Sequence, residues 1–295
     1  MNGWDFHEGD EIADGLSAVR LIGGGLRYEA YLAWADHLRA LVVVKVVRPD
    51  QTRHAGTLNG LRAEIRHLQR LGHPMLVRSF GGDLECDRPH VVLELIDGPR
   101  LSTLIRRFGL SLEQILPLAL NLCSVVHYLA HERVVHLDVK PRNVIMAGEP
   151  RLIDLSIARS VDDLDRLTGP VGTDAYMAPE QCETARLREI SPATDIWGLG
   201  ATLFEAIAGQ RPFPADTGER FPQLRLAPRP LPGDVPEPLA AAVHACLAYD
   251  PADRPSAAEL ANVLEPIVGA LPAPRIGRFR PSPRPIKSEP REVLG

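Results

Sequence analysis

Short apolar runs separated by turn-forming residues occupy the first third of the chain. They cover residues 19–22, 28–34 and 40–47, and three consecutive glycines follow the first run. Residues 76–80 and 90–95 have the same character. Runs of this length between glycines and prolines are typical of β-strands. The pattern therefore predicts a small antiparallel sheet at the start of the chain.

Helical spacing appears once within this part and then dominates the rest of the chain. Apolar residues recur every three or four positions in residues 61–71, which predicts one helix there. Further helices are predicted over residues 101–108, 112–131, 192–208 and 256–268. A serine lies at or just before the start of each of the last three and is a candidate N-cap. The chain thus changes from mainly strands to mainly helices.

This change predicts two lobes joined by a hinge near residue 97. We assign residues 15–96 to a strand-rich first lobe and residues 97–271 to a larger helical lobe, with residues 1–14 as an N-terminal extension. Residues 272–295 are rich in proline and in basic residues, and such a composition buries too little apolar surface to fold. We expect a disordered tail that solubilises the chain, with a docking segment for a partner as the alternative.

Charge and cysteine content exclude several classes of protein. The formal net charge of -5 provides no basic field to hold nucleic acid. The four cysteines are scattered without a C-x-x-C motif, so neither a disulfide framework nor a zinc site is indicated. The N-terminus does not resemble a secretory signal, and no apolar run reaches the roughly 18 residues of a membrane span. We therefore expect a cytoplasmic protein with reduced thiols.

A polar loop between two apolar segments carries the first candidate chemistry. Within residues 136–143 lie Asp138, Lys140 and Asn143. If both ends of the loop are held, these side chains converge on a point that suits a hydroxyl, a phosphate and a metal ion. A turn whose Asp and Asn bind their own backbone explains the loop equally well by itself.

Other motifs help to decide whether this loop is a functional site or a simple turn. Lys45 stands in the middle of an apolar strand, where a charge is costly unless it is paired. Asp154 follows a second apolar run, and residues 172–180 read GTDAYMAPE, followed by DIWGLG at residues 195–200. Together with the polar loop, these motifs resemble those of bacterial Ser/Thr protein kinases. The resemblance covers roughly residues 15–270 and implies an α+β, two-lobed fold.

The resemblance assigns catalytic roles to four residues. Lys45, held by Glu64 on the following helix, would bind the α and β phosphates of ATP. Asp138 would accept or orient the proton of the substrate hydroxyl, and Lys140 would neutralise charge on the transferred phosphoryl group. These assignments imply an ATP-dependent protein kinase that acts on Ser and Thr hydroxyls, with proteins as its substrates.

The same resemblance implies a nucleotide and metal site between the lobes. A glycine-rich turn would cover the phosphates, aliphatic residues would enclose the adenine, Leu93 would be the gatekeeper, and backbone groups after it would read the adenine edge. The implied nucleotide contacts are Ile22, Gly23, Gly24, Gly25, Ala30, Val43, Lys45, Leu93, Glu94, Ile96 and Ile145. Asn143 and Asp154 would bind Mg²⁺, which takes few protein ligands and shares phosphate oxygens.

Structural pairs also follow from the resemblance. The activation segment would run from Asp154 to Glu180, and Glu180 would pair with Arg254. Asp195 would hold the backbone of the polar loop.

The sequence departs from the kinase pattern at three positions. Tyr28 stands where the third glycine of the glycine-rich turn is expected, and Ser156 replaces a glycine after Asp154. Leu137 replaces the arginine that normally couples a phosphorylated activation segment to the catalytic loop. We therefore expect little dependence on phosphorylation of Thr168 or of other residues in this segment.

Two alternatives from other classes follow. A pseudokinase that binds nucleotide or a partner without phosphoryl transfer is motivated by the three departures, although all of the catalytic residues named above are present. A small-molecule kinase would share the two lobes, but Lys140, Thr173 and Arg254 argue against it. Lys140 with Thr173 resembles the Ser/Thr pattern.

Overall fold

Six strands form one antiparallel sheet in a computed structural model that describes residues 3–215 and 218–270. The strands are β1 (Glu11–Ala13), β2 (Leu16–Gly24), β3 (Tyr28–Ala35), β4 (Ala40–Val47), β5 (Ser79–Asp83) and β6 (His90–Glu94). Their order across the sheet is β1-β2-β3-β4-β6-β5. The strand β1 belongs to the segment assigned to the N-terminal extension. The predicted tail, residues 272–295, lies outside the described residues.

The alternation of side chains along β4 explains why one charged residue stands in an apolar strand. Val42, Val44 and Val46 are fully buried on one face, where they pack with residues of β1 to β3. Because successive side chains point to opposite faces, Val43 and Lys45 share the other face. That face is directed towards helix α1 (Ala55–Arg70). The apolar pattern of β4 therefore fixes the direction of the Lys45 ammonium group.

Two elements of the first lobe differ from the sequence prediction. Helix α1 begins six residues before the predicted start, since its first turns contain Gly56 and Gly60 and too few apolar residues to show helical spacing. The strand predicted over residues 76–80 lies instead at Ser79–Asp83. Leu76 and Val77 are buried between the lobes, where the Val77 amide donates to the Leu152 carbonyl. Their apolar character reflects this burial.

The second lobe is mainly helical, as predicted. Its helices are α2 (Leu101–Phe108), α3 (Leu112–His131), α4 (Pro179–Cys182), α5 (Pro192–Ala208), α6 (Glu237–Cys246) and α7 (Ala257–Gly269). Its short strands are β7 (Val134–Val135), β8 (Val144–Ala147), β9 (Glu149–Leu152) and β10 (Arg159–Ser160). Gly209 ends α5 in the left-handed conformation with φ +68°, which favours glycine. The two-lobed α+β prediction is confirmed.

Helix α3 is the core helix of the second lobe. By length and composition it is the one helix of the described residues that could cross a membrane. It packs against α5 and α7, and nine of its residues are buried. Its apolar composition is explained by this packing.

A buried ion pair joins the end of the activation segment to the rest of the second lobe. The Arg254 guanidinium donates to both carboxylate oxygens of Glu180, at 2.7 and 2.8 Å, and neither side chain is exposed. Thr194, in the first turn of α5, donates to the same carboxylate at 2.8 Å. This is the pair that the kinase resemblance implied.

We predict that Arg254→Met lowers the free energy of unfolding by about 3–5 kcal/mol, because Glu180 would be left buried without its counter-ion. The measurement is urea unfolding followed by circular dichroism. Arg166→Met is the control, since Arg166 pairs with Asp163 on the surface, where such pairs contribute about 1 kcal/mol or less. Equal losses for the two variants would contradict the prediction.

Candidate active site

The backbone of the polar loop at residues 136–143 is held by one carboxylate. Asp195, in the first turn of α5, accepts the amide protons of His136 at 2.7 Å and Leu137 at 2.9 Å. Burial raises the pKa of Asp195, while the two amide hydrogen bonds favour its charged form. The contact implied for Asp195 is therefore present, and it fixes the start of the loop.

Close approach of α5 to the same loop depends on a glycine. A Cβ atom at Gly198 would lie 2.8 Å from the Val139 carbonyl oxygen, which is too close for any other residue. Leu137 has φ +67°, a left-handed conformation that is unusual for a residue with a Cβ. The loop is thus fixed both by hydrogen bonds and by backbone conformation.

The polar side chains of the loop meet at Asp138. Lys140 Nζ lies 2.5 Å from Asp138 Oδ2, and Asn143 Nδ2 lies 3.0 Å from the same oxygen. Thr173 Oγ1 donates to Asp138 Oδ1 at 2.7 Å and accepts from Lys140 at 2.5 Å. Asn143 also donates to the Asp138 carbonyl. The alternative, a turn in which these side chains bind the backbone of the loop, is therefore present in part. The structure therefore brings Asp138, Lys140 and Asn143 together and adds Thr173.

The second polar cluster is centred on Lys45. Its Nζ lies 2.8 Å from Glu64 Oε2 and 2.7 Å from Asp154 Oδ1. Burial alone would lower the pKa of Lys45, but the charges of Asp154 and Glu64 outweigh it and hold the pKa above its usual range. Burial would raise the pKa of Asp154, and the adjacent Lys45 ammonium reverses this and lowers it. Lys45 and Asp154 are therefore both charged at neutral pH.

The chemistry of Asn143 and Asp154 fits a magnesium ion. The Ile153 amide donates to the Asn143 carbonyl at 2.9 Å. Asn143 and Asp154 therefore lie on adjacent chain segments. Asp154 Oδ1 accepts a hydrogen bond from Lys45, whereas Asp154 Oδ2 accepts no hydrogen bond from the described residues. The described residues contain no group of three or more His, Cys, Asp or Glu side chains that could hold a metal alone. Two oxygen donors suit Mg²⁺, which completes its shell with phosphate oxygens and water.

The predicted adenine contacts come from one face of the sheet and from the segment next to the linker between the lobes. Ala30 pairs with Lys45 across β3 and β4, and Val43 pairs with Leu93 across β4 and β6. Ala30, Val43 and Lys45 therefore share one face of the sheet. Ile145, on β8, is adjacent to the linker between the lobes, since the next amide, of Met146, donates to the Pro99 carbonyl.

The segment that follows β6 and leads into the linker is also held by polar contacts. Glu94, at the end of β6, accepts the amide proton of Arg78 at 2.8 Å and lies 3.4 Å from the Arg151 guanidinium. Ile96, two residues on, is half-buried against the main core. The side chain of Glu94 is thus used within the protein, and its amide donates to the Arg78 carbonyl at 3.0 Å.

The glycine-rich turn connects β2 to β3 and is held by a backbone hydrogen bond. Ile22, Gly23 and Gly24 end β2, and the Gly25 amide donates to the Tyr28 carbonyl at 2.9 Å. A Cβ atom at Gly24 would lie 3.1 Å from that same carbonyl oxygen, so the tight turn favours glycine there.

The activation segment is attached to the catalytic loop through apolar residues. Leu137 is 3% exposed and lies in a cluster that includes Leu164 from the segment. The other members are Val135, Leu187 and Ile190, with Ile157, Val161, Leu167 and Val171 packed around them. We call this set the Leu137 cluster. It occupies the position where the kinase pattern has an arginine, so at this position the contact with the activation segment is apolar.

Sequence reasoning missed some of the residues that hold the site. Gln181 Nε2 donates to the carbonyls of Leu137 at 2.9 Å and Val171 at 2.7 Å. Its place beside Glu180 gave no signal of this role. Thr173 was recognised within its motif, but its contact with Asp138 depends on the fold of the activation segment.

Comparison with known proteins defines the class. Residues 16–263 match the family model of the protein kinase domain, so the chain belongs to the protein kinase family. The resemblance drawn from the motifs is thereby confirmed.

Its relatives include bacterial kinases. Serine/threonine-protein kinase PknK of Mycobacterium tuberculosis (strain CDC 1551 / Oshkosh) is 35% identical over 83% of this chain and 23% of its own length. Serine/threonine-protein kinase PknA of Mycobacterium tuberculosis (strain ATCC 25177 / H37Ra) is 32% identical over 92% of this chain and 63% of its own. Serine/threonine-protein kinase PkaA of Streptomyces coelicolor is 34% identical over 78% of this chain and 44% of its own length. The chain thus spans less than two thirds of each relative.

We predict that Leu137→Ala lowers the free energy of unfolding by about 2–5 kcal/mol, because it leaves a cavity within the Leu137 cluster. Amide hydrogen exchange of residues 157–171 should accelerate more than that of α3. The exposed Leu226 supplies the control, since Leu226→Ala should change stability by about 0.5 kcal/mol at most. Unchanged exchange in residues 157–171 would refute the anchoring role of Leu137.

Proposed function

We propose that this chain is an ATP-dependent protein kinase that transfers the γ-phosphoryl group to Ser or Thr hydroxyls of proteins. The observation that carries the proposal is the simultaneous presence of two polar clusters, one in which Lys45 contacts Glu64 and Asp154, and one centred on Asp138. A kinase needs both for positioning and charge stabilisation. The family match and the names of the relatives support the same activity.

Asp138 is the proposed acceptor of the substrate proton. The hydroxyl oxygen forms a bond to the γ phosphorus, the bond from that phosphorus to the bridging oxygen breaks, and the hydroxyl proton passes to Asp138. Thr173 and Asn143 orient the carboxylate through the hydrogen bonds described above. Lys140 lies beside the same carboxylate, where its charge stabilises the phosphoryl group in transfer.

Lys45 would hold the α and β phosphates, with Glu64 fixing its position. Magnesium bound to Asn143 and Asp154 would neutralise phosphate charge. Ala30, Val43 and Ile145 would contact the adenine, and the backbone of Glu94 and Ile96 would read its edge, with Leu93 behind it.

Three observations bear on the alternatives. A pseudokinase is not favoured, because the catalytic side chains are present and already in contact with one another. The bonds between Lys140, Thr173 and Asp138 follow the Ser/Thr pattern and support protein hydroxyls as acceptors. The buried pair of Glu180 and Arg254 further argues against a small-molecule kinase.

Proteins are the proposed partners, and the net charge of -5 gives no support for nucleic acid. A cytoplasmic location is supported by the four cysteines, all of which are free thiols. A docking role of residues 272–295 stays a prediction.

The decisive experiment is to incubate the purified chain with γ-labelled ATP, Mg²⁺ and a generic basic protein. Asp138→Asn and Lys45→Met should each reduce label transfer by at least about 100-fold, since one removes the proton acceptor and the other the phosphate contact. Asp234→Asn, on the exposed surface, is the control and should transfer label like the parent. Nucleotide binding by the parent without any transfer would overturn the proposal in favour of a pseudokinase.

We further expect Thr168→Ala to retain activity within about tenfold of the parent. Thr168 is exposed in the activation segment, and the Leu137 cluster anchors that segment without a phosphate. The measurement is the initial rate of label transfer before and after phosphatase treatment of both proteins. A loss of about a hundredfold in Thr168→Ala would show that phosphorylation is needed after all.

A further inference from the structure

Tyr28 occupies the position where kinases are expected to carry the third glycine of the glycine-rich turn. Its side chain is half-buried and extends from the start of β3 to the first turn of α1. There the hydroxyl donates a hydrogen bond of 2.8 Å to the Thr57 carbonyl. A glycine in this position could not connect the turn to the helix.

The ring of Tyr28 also contacts the catalytic lysine. Lys45 Nζ lies 4.7 Å from the ring centroid, a distance at which an ammonium group is attracted to an aromatic face. Tyr28 and Ala30 point to the same face of β3, and Ala30 is the cross-strand partner of Lys45. One side chain thus touches both the lysine and the helix that carries its partner, Glu64.

Gly60 on α1 provides the space for this arrangement. A Cβ atom at Gly60 would lie 3.0 Å from the Tyr28 hydroxyl oxygen and 3.2 Å from the Ser156 carbonyl oxygen. Two of the three departures from the kinase pattern therefore meet at one glycine. The glycine-rich turn, α1 and the start of the activation segment come together there.

The first turns of α1 are an intrinsically weak part of the helix. They contain Gly56 and Gly60, and glycine lowers the intrinsic stability of a helix. Glu64 follows directly after these turns, so their position against the sheet bears on its contact with Lys45. Burial raises the pKa of Tyr28 to about 12, so its hydroxyl remains a donor at neutral pH.

We propose that Tyr28 is a positioning residue that holds the N-terminal turns of α1 against the sheet and thereby keeps Glu64 paired with Lys45. The inference rests on the proposed kinase function for its effect on catalysis. Its structural part stands independently of that function.

The test compares Tyr28→Phe with Tyr31→Phe. Tyr31 is also a buried phenol on β3, but its hydroxyl donates to Glu29 at 3.2 Å on the other face of the sheet. Tyr28→Phe removes one hydrogen bond to α1 and should accelerate amide exchange of residues 55–64 by about two- to tenfold. Tyr31→Phe should leave that exchange within about twofold of the parent. Tyr28→Gly, which also removes the ring, should accelerate it further.

Exchange is measured without nucleotide, so it does not depend on phosphoryl transfer. In the kinase assay, kcat of Tyr28→Phe should fall by at least about twofold relative to the parent, while KM for ATP stays within about twofold because the adenine contacts are unaltered. Unchanged exchange of residues 55–64 would overturn the proposal. Faster exchange across the whole chain would overturn it too, since that indicates general destabilisation. Loss of transfer by the parent with selective exchange in Tyr28→Phe would refute only the kinase function.

Discussion

The buried ammonium of Lys45 is the constraint on which the rest of the structure depends. A charge in an apolar strand is stable only with counter-charges at contact distance, and these come from helix α1 and from the segment after β9. Satisfying one lysine therefore brings together the sheet, α1 and the second lobe. The contacts that join these three parts are the same contacts that remove an unpaired charge.

The second lobe contributes a rigid frame for the loop opposite Lys45. Asp195 binds the loop backbone, Gly198 allows α5 to approach it, and the pair of Glu180 and Arg254 fixes the end of the activation segment. Each contact joins segments far apart in sequence. The polar side chains of the loop can therefore lie close together, because their backbone is already held by other groups.

Much of this could be predicted from the sequence, because alternation and motif spacing are local properties. The strands of residues 28–34 and 40–47 are examples, whereas the partner of Lys45 was implied by the resemblance to protein kinases. The early start of α1 was missed, since Gly56 and Gly60 hide its helical spacing. The contacts of Gln181, Thr173 and Tyr28 could not be predicted, because each depends on which backbone groups the tertiary fold brings within hydrogen-bonding distance.

The Leu137 cluster has a consequence for how this protein responds to its surroundings. Attraction between a phosphate and an arginine is screened by salt, whereas apolar contacts are insensitive to moderate ionic strength and weaken on cooling. The contact between Leu137 and the activation segment thus depends on hydration of apolar surface. A change of charge alone leaves this apolar contact in place.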